Sequence, residues 1–326
     1  MEEFLKLDRL DKLDSPIAVW MEKERFRGIK DCLTIILRTK GCHWNKCLMC
    51  GYSQDADKRV AEENLQNQFD YALNKFEEDF DVVKIFTSGS FFDEREIPQD
   101  IREYIYQKVV DNGVEKLSVE SRPEFITANK LIGNGVVPEV GVGLETSNEF
   151  VRENCVNKGF TFEDFRIAAS LLKEENALVK VYLLLKPPFL SEREAIEDTV
   201  RSALDVKEYA DVVSVNPTNI PSRTYIEVLW KKRMYRPPWL WSMVEVVKRV
   251  REEGIEVIGD PVAGGKERGP HNCGKCDGQV SRAIRNFSLS QTIDEIEELD
   301  ELNCGCIHLW RKALELEDYS RIPLFR

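Results

Sequence analysis

The sequence has no run of 18 apolar residues, and its start, Met1 to Lys6, lacks the pattern of a secretory signal peptide. A basic surplus is also missing, since 46 lysines and arginines are outnumbered by 58 acids and the net charge is −12. Internal repeats and low-complexity segments are absent too. We therefore expect a soluble, cytoplasmic protein without membrane association, whose surface as a whole does not attract a polyanion.

Cysteine, in contrast, is plentiful, with nine residues in a chain of 326. In a cytoplasmic protein this number favours metal or redox chemistry over structural disulfides. Seven of the nine form three tight groups, at 42/47/50, 273/276 and 304/306. Cys32 and Cys155 stand alone, and each is predicted to be a small buried apolar residue.

Short apolar, β-branched segments alternate with amphipathic segments over the first 260 residues. They predict strands at 33–38, 82–87, 115–120, 138–145, 179–185 and 211–216, and a short further strand at 255–259. The segments between them predict helices at 62–77, 98–111, 124–133, 161–175 and 191–209. The last two helices start with capping-box-like pairs, Thr161 with Asp164 and Ser191 with Glu194.

This alternation is typical of a parallel sheet with helical crossovers. Six strand–helix units are too few for a closed barrel of eight, so the sequence predicts an α/β fold of the partial (β/α)6 barrel type. Beyond residue 260 strand-forming segments are scarce and two cysteine groups follow. We therefore predict two regions, a partial barrel over 1–260 and a cysteine-rich, metal-binding extension over 261–326.

Cys42, Cys47 and Cys50 lie on the loop after the first predicted strand. Three thiolates can hold three corners of a four-iron, four-sulfur cluster, which leaves one iron open to a chelating ligand. The alternative is a zinc knuckle in which His43 is the fourth ligand, although its position next to Cys42 makes that geometry difficult. Because α/β barrels keep their active sites at the C-terminal ends of their strands, this loop is a candidate active site.

Small or charged residues recur at the same end of the later predicted strands. They are Ser88, Gly89 and Ser90 after the second strand, Glu120 and Arg122 at the third, Glu145 at the fourth, Lys186 at the fifth and Asn216 at the sixth. Alone, the segment 88–90 would be an ordinary turn, and one acid at a strand end is usually a helix N-cap. Together, the four charged residues at these strand ends form a ring that needs a polar ligand at its centre: Glu120, Arg122, Glu145 and Lys186.

The remaining grouped cysteines form two close pairs, Cys273 with Cys276 and Cys304 with Cys306. Such pairing is a strong indication of a metal site. A structural zinc ion bound by all four thiolates fits the pattern, and so does a second iron–sulfur cluster. Of the two we favour zinc, and either His271 or His308 could replace one cysteine.

The cysteine loop, the small-residue turn and the acids after the third and fourth strands resemble those of radical S-adenosylmethionine (SAM) enzymes. The spacing C-x4-C-x2-C differs by one residue from the superfamily's commonest pattern, C-x3-C-x2-C. From about residue 41 to residue 277 the chain is similar to the archaeosine-biosynthesis radical SAM proteins (RaSEA), in segments such as GCHWNKCLMCGYS, GLETSNEFVRENCVNKGF and RGPHNCGKCD. More loosely, it resembles the radical SAM domain of the elongator catalytic subunit.

The resemblance implies a partial barrel of the radical SAM kind, with a [4Fe-4S] cluster on Cys42, Cys47 and Cys50 and SAM on its open iron. It places the other candidates around SAM, with Ser88, Gly89 and Ser90 at the methionine end. Glu120, Arg122 and Glu145 are candidates for contacts to the methionine carboxylate and the ribose hydroxyls. Lys186 and Asn216 are weaker candidates for either of these two groups.

The implied activity is lyase-type cleavage of the lysine side chain from a lysine-adducted 7-cyano-7-deazaguanine in the tRNA D-loop, which leaves archaeosine. A tRNA-binding synthase partner attaches the lysine, and it would supply the affinity for tRNA that a net charge of −12 does not. Two alternatives remain from the residues alone. One is a non-catalytic zinc-binding module for tRNA or protein, and the other is a radical SAM enzyme with another substrate.

Overall fold

The computed structural model describes residues 12–127 and 135–325. In these ranges eight strands form one sheet whose spatial order is the chain order: β1 (Ala18–Arg25), β2 (Ile29–Ile36), β3 (Val82–Phe86), β4 (Lys116–Ser121), β5 (Val137–Glu145), β6 (Leu178–Leu185), β7 (Val212–Pro217) and β8 (Val257–Gly259). The α-helices of the same ranges are α1 (Glu62–Leu73), α2 (Gln99–Asp111), α3 (Phe162–Glu174), α4 (Glu192–Asp205), α5 (Tyr225–Lys231), α6 (Leu240–Glu252), α7 (Asp277–Ser290), α8 (Asp294–Glu297) and α9 (Cys306–Ser320). The predicted α/β class is confirmed.

The first strand, β1, has no counterpart among the predicted strands. It pairs antiparallel with β2, from Ala18 opposite Ile36 to Arg25 opposite Ile29. In the connecting turn the N–H of Phe26 donates to the carbonyl oxygen of Gly28 at 2.8 Å. Gly28 has a φ of +123°, a conformation that only glycine adopts easily. A hairpin therefore precedes the parallel strands.

The other predicted strands are confirmed. The first, predicted at 33–38, lies at Ile29–Ile36, and each of the rest agrees with its prediction within two residues at either end. β2 to β5 pair parallel in order, and so do β6 to β8. Parallel strands bury both faces, which explains their continuous β-branched runs.

Four of the five predicted helices are confirmed as α1 to α4, with α1 and α4 ending four residues earlier than predicted. The capping box at α4 is present, since the Ser191 hydroxyl accepts from the N–H of Glu194 and the Ser191 N–H donates to the Glu194 carboxylate. Of the predicted helix 124–133, residues 124–127 are described and contain the end of a short 3-10 turn. Residues 128–134 lie outside the described residues, as does the start of the chain, Met1–Lys6.

The chain divides into two compact units. Unit 1 comprises Met1–Asn45, Tyr52–Val142 and Ile167–Val179, and unit 2 comprises Lys46–Gly51, Gly143–Arg166 and Lys180–Arg326. The boundary predicted at residue 260 stays a prediction. No helix in the described ranges is long and apolar enough to cross a membrane.

Unit 1 contains ion pairs within its interior as well as apolar side chains. Lys116 on β4 is 1% exposed and its ammonium lies 3.2 Å from Glu24 on β1 and 3.0 Å from Glu139 on β5. Lys84 on β3 contacts Glu24 at 2.5 Å and Glu22 at 2.9 Å. Each buried ammonium is therefore compensated by carboxylates from neighbouring strands.

Unit 2 is built around β6 to β8, and within it α4 packs against α6 and α9. A separate apolar cluster consists of Ile220, Ile226, Leu229 and Tyr235, and Met49 packs against it. Helix α5 thus has a buried face in contact with the segment that follows Cys47.

Candidate functional site

The predicted turn after β3 lies directly against Cys42. A Cβ placed on Gly89 would lie 2.7 Å from the Cα of Cys42 and 2.9 Å from its Cβ. Real Cβ atoms do not approach neighbours that closely, so a side chain at this position would push the two segments apart. Gly89 therefore permits the close approach of the turn to Cys42.

The turn itself is fixed by Glu96, which the sequence analysis missed. The Glu96 carboxylate is 2% exposed, accepts from the N–H of Ser90 at 2.7 Å and accepts from the Thr39 hydroxyl at 2.5 Å. Burial raises the pKa of Glu96. The N–H of Gly89 donates to the Thr87 hydroxyl at 3.2 Å. Because these N–H groups bond within the turn, a ligand there is expected to contact carbonyl oxygens, which suit an ammonium group.

Glu120 and Arg122, at the end of β4, contact the same turn. The Glu120 carboxylate accepts from the N–H of Thr87 at 3.1 Å, and the N–H of Arg122 donates to the Ser90 hydroxyl at 3.0 Å. The Arg122 side chain is 6% exposed, with its Nε 2.5 Å from Glu124 and its guanidinium over the ring of Trp44 at 5.6 Å. Within unit 1, the structure brings four of the predicted regions together: Cys42, the turn 88–90, Glu120 and Arg122.

Cys47 and Cys50 belong to unit 2 and are half-buried. Their loop is fixed through its backbone on both sides of Leu48. The N–H of Leu48 donates to the carbonyl of Val156 at 3.0 Å, and its carbonyl accepts from the N–H of Ile226 at 3.2 Å. Val156 ends a π-helix, Val151–Val156, a form of helix that is frequent at functional sites.

Glu145 ends β5 in a conformation that is unusual for a non-glycine residue, with a φ of +71°. Its carboxylate lies 2.6 Å from the ammonium of Lys158, and both side chains are nearly buried. A Cβ on Gly143 would lie 2.9 Å from that ammonium, so glycine leaves the space that Lys158 occupies. Lys158 was not among the predicted site residues. In the sequence, Lys158 lies in the polar segment Asn157 to Gly159, where it resembles any other charged surface residue.

Lys186, at the end of β6, is 2% exposed and has a φ of +64°. Its ammonium lies 2.5 Å from Glu192 and 3.6 Å from Glu317. Its carbonyl accepts from the Tyr235 hydroxyl at 2.6 Å. Lys186 thus connects a strand end to α4 and α9. The weaker candidate Asn216 is half-buried on β7, with its side-chain oxygen 3.4 Å from the Ser214 hydroxyl.

The four C-terminal cysteines converge on one point, as predicted. Their sulfur atoms all lie within 4.8 Å of one another, and the closest pairs are 3.3 to 3.9 Å apart. A zinc ion with Zn–S bonds of about 2.3 Å needs sulfur atoms about 3.8 Å apart in a tetrahedron. The thiolates of a four-iron cluster bind four different iron atoms and lie farther apart. The observed spacing fits a single tetrahedral ion.

Hydrogen bonds from neighbouring groups complete this metal site. The indole N–H of Trp241 lies 3.3 Å from the sulfur of Cys306, and the amide of Asn272 lies 3.4 Å from the sulfur of Cys276. Cys273 is exposed. Partial desolvation raises the pKa of its thiol, but backbone N–H groups of Lys275 and Cys276 outweigh this and lower the pKa to about 7. Such donors stabilise metal-bound thiolates and orient them.

Neither predicted histidine is needed as a ligand, because four neighbouring thiolates are enough for a tetrahedral zinc ion. The Nδ1 of His271 lies 2.8 Å from the carbonyl of Gly269, and His308 is exposed on α9. The two lone cysteines are buried as predicted, with Cys32 at 0% and Cys155 at 6% exposure.

Comparison with protein families matches residues 36–203 to the Radical SAM superfamily. The chain is 41% identical over 322 residues to archaeosine synthase subunit beta of Methanosarcina acetivorans, which covers 94% of this chain and 92% of that protein. It is also 41% identical to archaeosine synthase subunit beta of Thermococcus kodakarensis, over 92% of this chain and 97% of that protein.

Among solved structures, the chain is similar to Elp3 of the archaeon Methanocaldococcus infernus. The TM-score is 0.51 at 15% identity, over 74% of this chain and 60% of that chain. At that identity the similarity concerns the fold alone.

Proposed function

The chain belongs to the radical SAM superfamily and to the family of archaeosine synthase beta subunits, and from that membership we propose that it is an enzyme of tRNA modification that forms archaeosine. The observation that carries the proposal is the 41% identity along 94% of the chain to a protein of that name. Membership also confirms the predicted partial barrel of the radical SAM kind.

The family implies a [4Fe-4S] cluster and SAM. We assign the cluster to Cys42, Cys47 and Cys50. The close approach that Gly89 permits at Cys42, and the backbone-fixed loop around Leu48, suit a segment that must present thiolates to a metal. When bound, the cluster and SAM supply a 5′-deoxyadenosyl radical, which provides a reactivity that amino-acid side chains lack.

The chain's own residues bind SAM and orient it. In our proposal the turn Ser88–Ser90 receives the methionine end of SAM, and Glu120, Arg122 and Glu145 supply charged contacts to its carboxylate and ribose. The burial of Arg122 and Glu145 supports this role, because charge-assisted hydrogen bonds are stronger where water is excluded. Lys186 is paired with Glu192 and Glu317, which lie on α4 and α9, and in our proposal it fixes the end of β6.

The substrate follows from the same membership. We propose that the reaction removes the lysine side chain from a lysine-adducted 7-cyano-7-deazaguanine in the tRNA D-loop. Relatives named as beta subunits support a partner subunit. We propose that this partner is the tRNA-binding synthase that attaches the lysine, and that it supplies affinity which a chain of net charge −12 lacks.

Anaerobic reconstitution tests this function. The reconstituted chain, with SAM and a reductant, is incubated with tRNA that carries the lysine adduct, and nucleosides from the digested tRNA are separated and weighed by mass spectrometry. Archaeosine should appear together with 5′-deoxyadenosine. The matched control is tRNA that carries the unadducted nitrile base. Release of 5′-deoxyadenosine on the adducted tRNA without archaeosine would show a radical SAM enzyme with another substrate.

A further inference from the structure

An exposed aromatic pair lies on unit 2 beside the loop of Cys47 and Cys50. Phe189, in the segment after β6, is 50% exposed, and Tyr225, the first residue of α5, is 48% exposed. Their ring centroids are 6.1 Å apart and the ring planes are inclined by 50°. Both rings thus meet solvent and contact each other. None of the sequence motifs or the cofactor residues explains them.

Phe189 is held in a strained backbone conformation, with a φ of +74°. For a bulky residue this φ is a genuine outlier, and it persists only where the surroundings impose it. Burial cannot explain an aromatic side chain that is half exposed. A strained, exposed aromatic residue is therefore better explained by a ligand than by packing.

The segment that carries Tyr225, residues 223 to 233, is basic, unlike the chain as a whole. Arg223, Lys231, Lys232 and Arg233 are all exposed. The one acid between residues 223 and 233, Glu227, is 8% exposed and bonded to Arg268 at 2.7 Å and to Lys231 at 3.2 Å. The acid is thus neutralised within the protein, and the local charge available to a ligand is positive.

The exposed face of α5 continues this surface. Val228 follows Tyr225 by three positions, and Lys232, the residue directly after α5, follows it by seven, so all three lie on one side of the helix axis. All three are exposed. The opposite side is anchored, since the N–H of Ile226 donates to the carbonyl of Leu48 at 3.2 Å. A ligand on the outer face of α5 therefore lies one helix away from the loop that carries Cys47 and Cys50.

We propose that Phe189 and Tyr225 form a stacking platform for an unpaired base of the tRNA substrate, with Arg223, Lys232 and Arg233 holding its phosphates. This inference rests on the proposed function. Aromatic side chains beside a basic groove are the usual way to bind single-stranded nucleic acid without reading its sequence. The platform gives an acidic chain a local site for tRNA next to its catalytic loop.

Binding measurements on the full chain test the platform. Fluorescence anisotropy with a labelled tRNA transcript is measured at ~50 mM salt and then at rising salt, where phosphate contacts weaken. Tyr225→Ala and Phe189→Ala should each lower affinity about 5- to 150-fold, without change in the salt dependence. Tyr225→Trp should retain affinity because it keeps a stacking face. Lys232→Gln and Arg233→Gln should each reduce the slope of log affinity against log salt by about one.

The matched control is Tyr319→Ala, which removes a tyrosine that is 86% exposed on α9. It should bind like the wild type. The platform is overturned if Tyr225→Ala binds the transcript as tightly as Tyr319→Ala, or if the wild type binds no tRNA at ~50 mM salt. The platform is also overturned if Tyr225→Ala and Phe189→Ala bind tRNA with unchanged affinity but no longer bind a partner protein. A wild-type chain that binds through the platform but forms no archaeosine refutes the proposed function alone.

Discussion

The Cα atom of Cys42 lies 2.7 Å from the position that a Cβ on Gly89 would occupy. Gly89 is not among the residues with a positive φ, so glycine is needed there for space and not for backbone conformation. The turn that contains Gly89 and the segment that contains Cys42 thus pack in direct contact, without room for a side chain at position 89. A single methyl group on Gly89 is enough to disturb Cys42, the first proposed ligand of the cluster.

Gly89→Ala should therefore lower both the iron content and the stability of the chain. Overpacking of this kind typically costs ~1–3 kcal/mol. Iron per chain after reconstitution and the free energy of unfolding in denaturant measure the two effects. Gly278→Ala on α7 is the matched control, because its Cβ would meet nothing within 4 Å. It should leave iron unchanged and stability equal or slightly higher. Equal iron contents in the two variants would contradict the fit.

Replacing Cys42, Cys47 and Cys50 together by Ala should abolish reductive cleavage of SAM to 5′-deoxyadenosine, since the variant lacks every proposed ligand of the cluster. The visible absorption of the cluster and the yield of 5′-deoxyadenosine report the loss. Cys32→Ala is the control. Burial raises the pKa of the Cys32 thiol to about 11, so it is not a thiolate at neutral pH. Undiminished cleavage in the triple variant would refute the assignment.

Glu145→Ala and Arg122→Ala should each weaken SAM binding while iron content stays intact. Loss of a charged hydrogen-bond partner in a buried site typically costs ~1.5–3 kcal/mol, or about 10- to 150-fold in affinity. Equilibrium binding of SAM to the reconstituted variants measures it. Glu163→Ala, which removes an exposed acid from α3, should bind SAM like the wild type. If both buried variants also kept wild-type affinity, the ring of strand-end charges would not be a SAM site.

The four C-terminal cysteines should carry one zinc ion per chain, and Cys304→Ser should lose it while the iron bound at the other cysteines remains. Trp241→Phe removes the N–H that points at Cys306 and should lower zinc affinity about 10- to 100-fold. Elemental analysis of zinc and iron, with and without reconstitution, decides the matter. Roughly twice the iron of a single four-iron cluster in the wild type would show a second cluster instead.

Asp198→Asn should stabilise the protein at neutral pH. One Asp198 oxygen accepts from the Thr146 hydroxyl at 3.0 Å, while the other is buried without a hydrogen-bond partner among the described residues. Burial raises the pKa of Asp198 from 3.8 to about 6. The native state therefore holds this proton more tightly than the unfolded state. The resulting stability is complete below pH 3.8 and is lost as the pH rises through about 6.

The expected gain for Asp198→Asn is ~1–3 kcal/mol at pH 7.5, and it should vanish below about pH 4. Denaturant unfolding of both proteins across this pH range measures the difference. A gain that is the same at every pH would show that the Asn side chain acts through packing and not through charge.

The sequence predicted the parallel strands because their periodicity and composition are local properties. It missed β1 because the second half of this strand, Glu22 to Arg25, consists of four charged residues. Lys84 and Lys116, which pair with Glu22 and Glu24, lie far away in the chain. Pairing across strands is a long-range property. A run of charged residues does not predict a strand until the residues that neutralise those charges are known.

The same reason explains what was missed in the site. The metal quartet could be predicted because cysteine pairs have few other uses in such a chain. Glu96 and Lys158 could not be predicted, since each is one ordinary charge in a polar segment and gains its role from a single contact, with Ser90 or with Glu145. Lys186 shows the converse, because its position at a strand end was foreseen and its two carboxylate partners were not.

Helix α9 begins at Cys306, a ligand of the proposed metal, and near its other end Glu317 reaches Lys186. Helix α9 is therefore held near its first residue by the proposed metal ion and near its last turn by an ion pair with Lys186. Without zinc, α9 would keep its packing against α4 and its contact with Lys186, but it would lose the metal bond at its first residue, and that end would become more accessible to proteases. Metal supply would then govern how long each molecule survives, separately from how well it performs its chemistry.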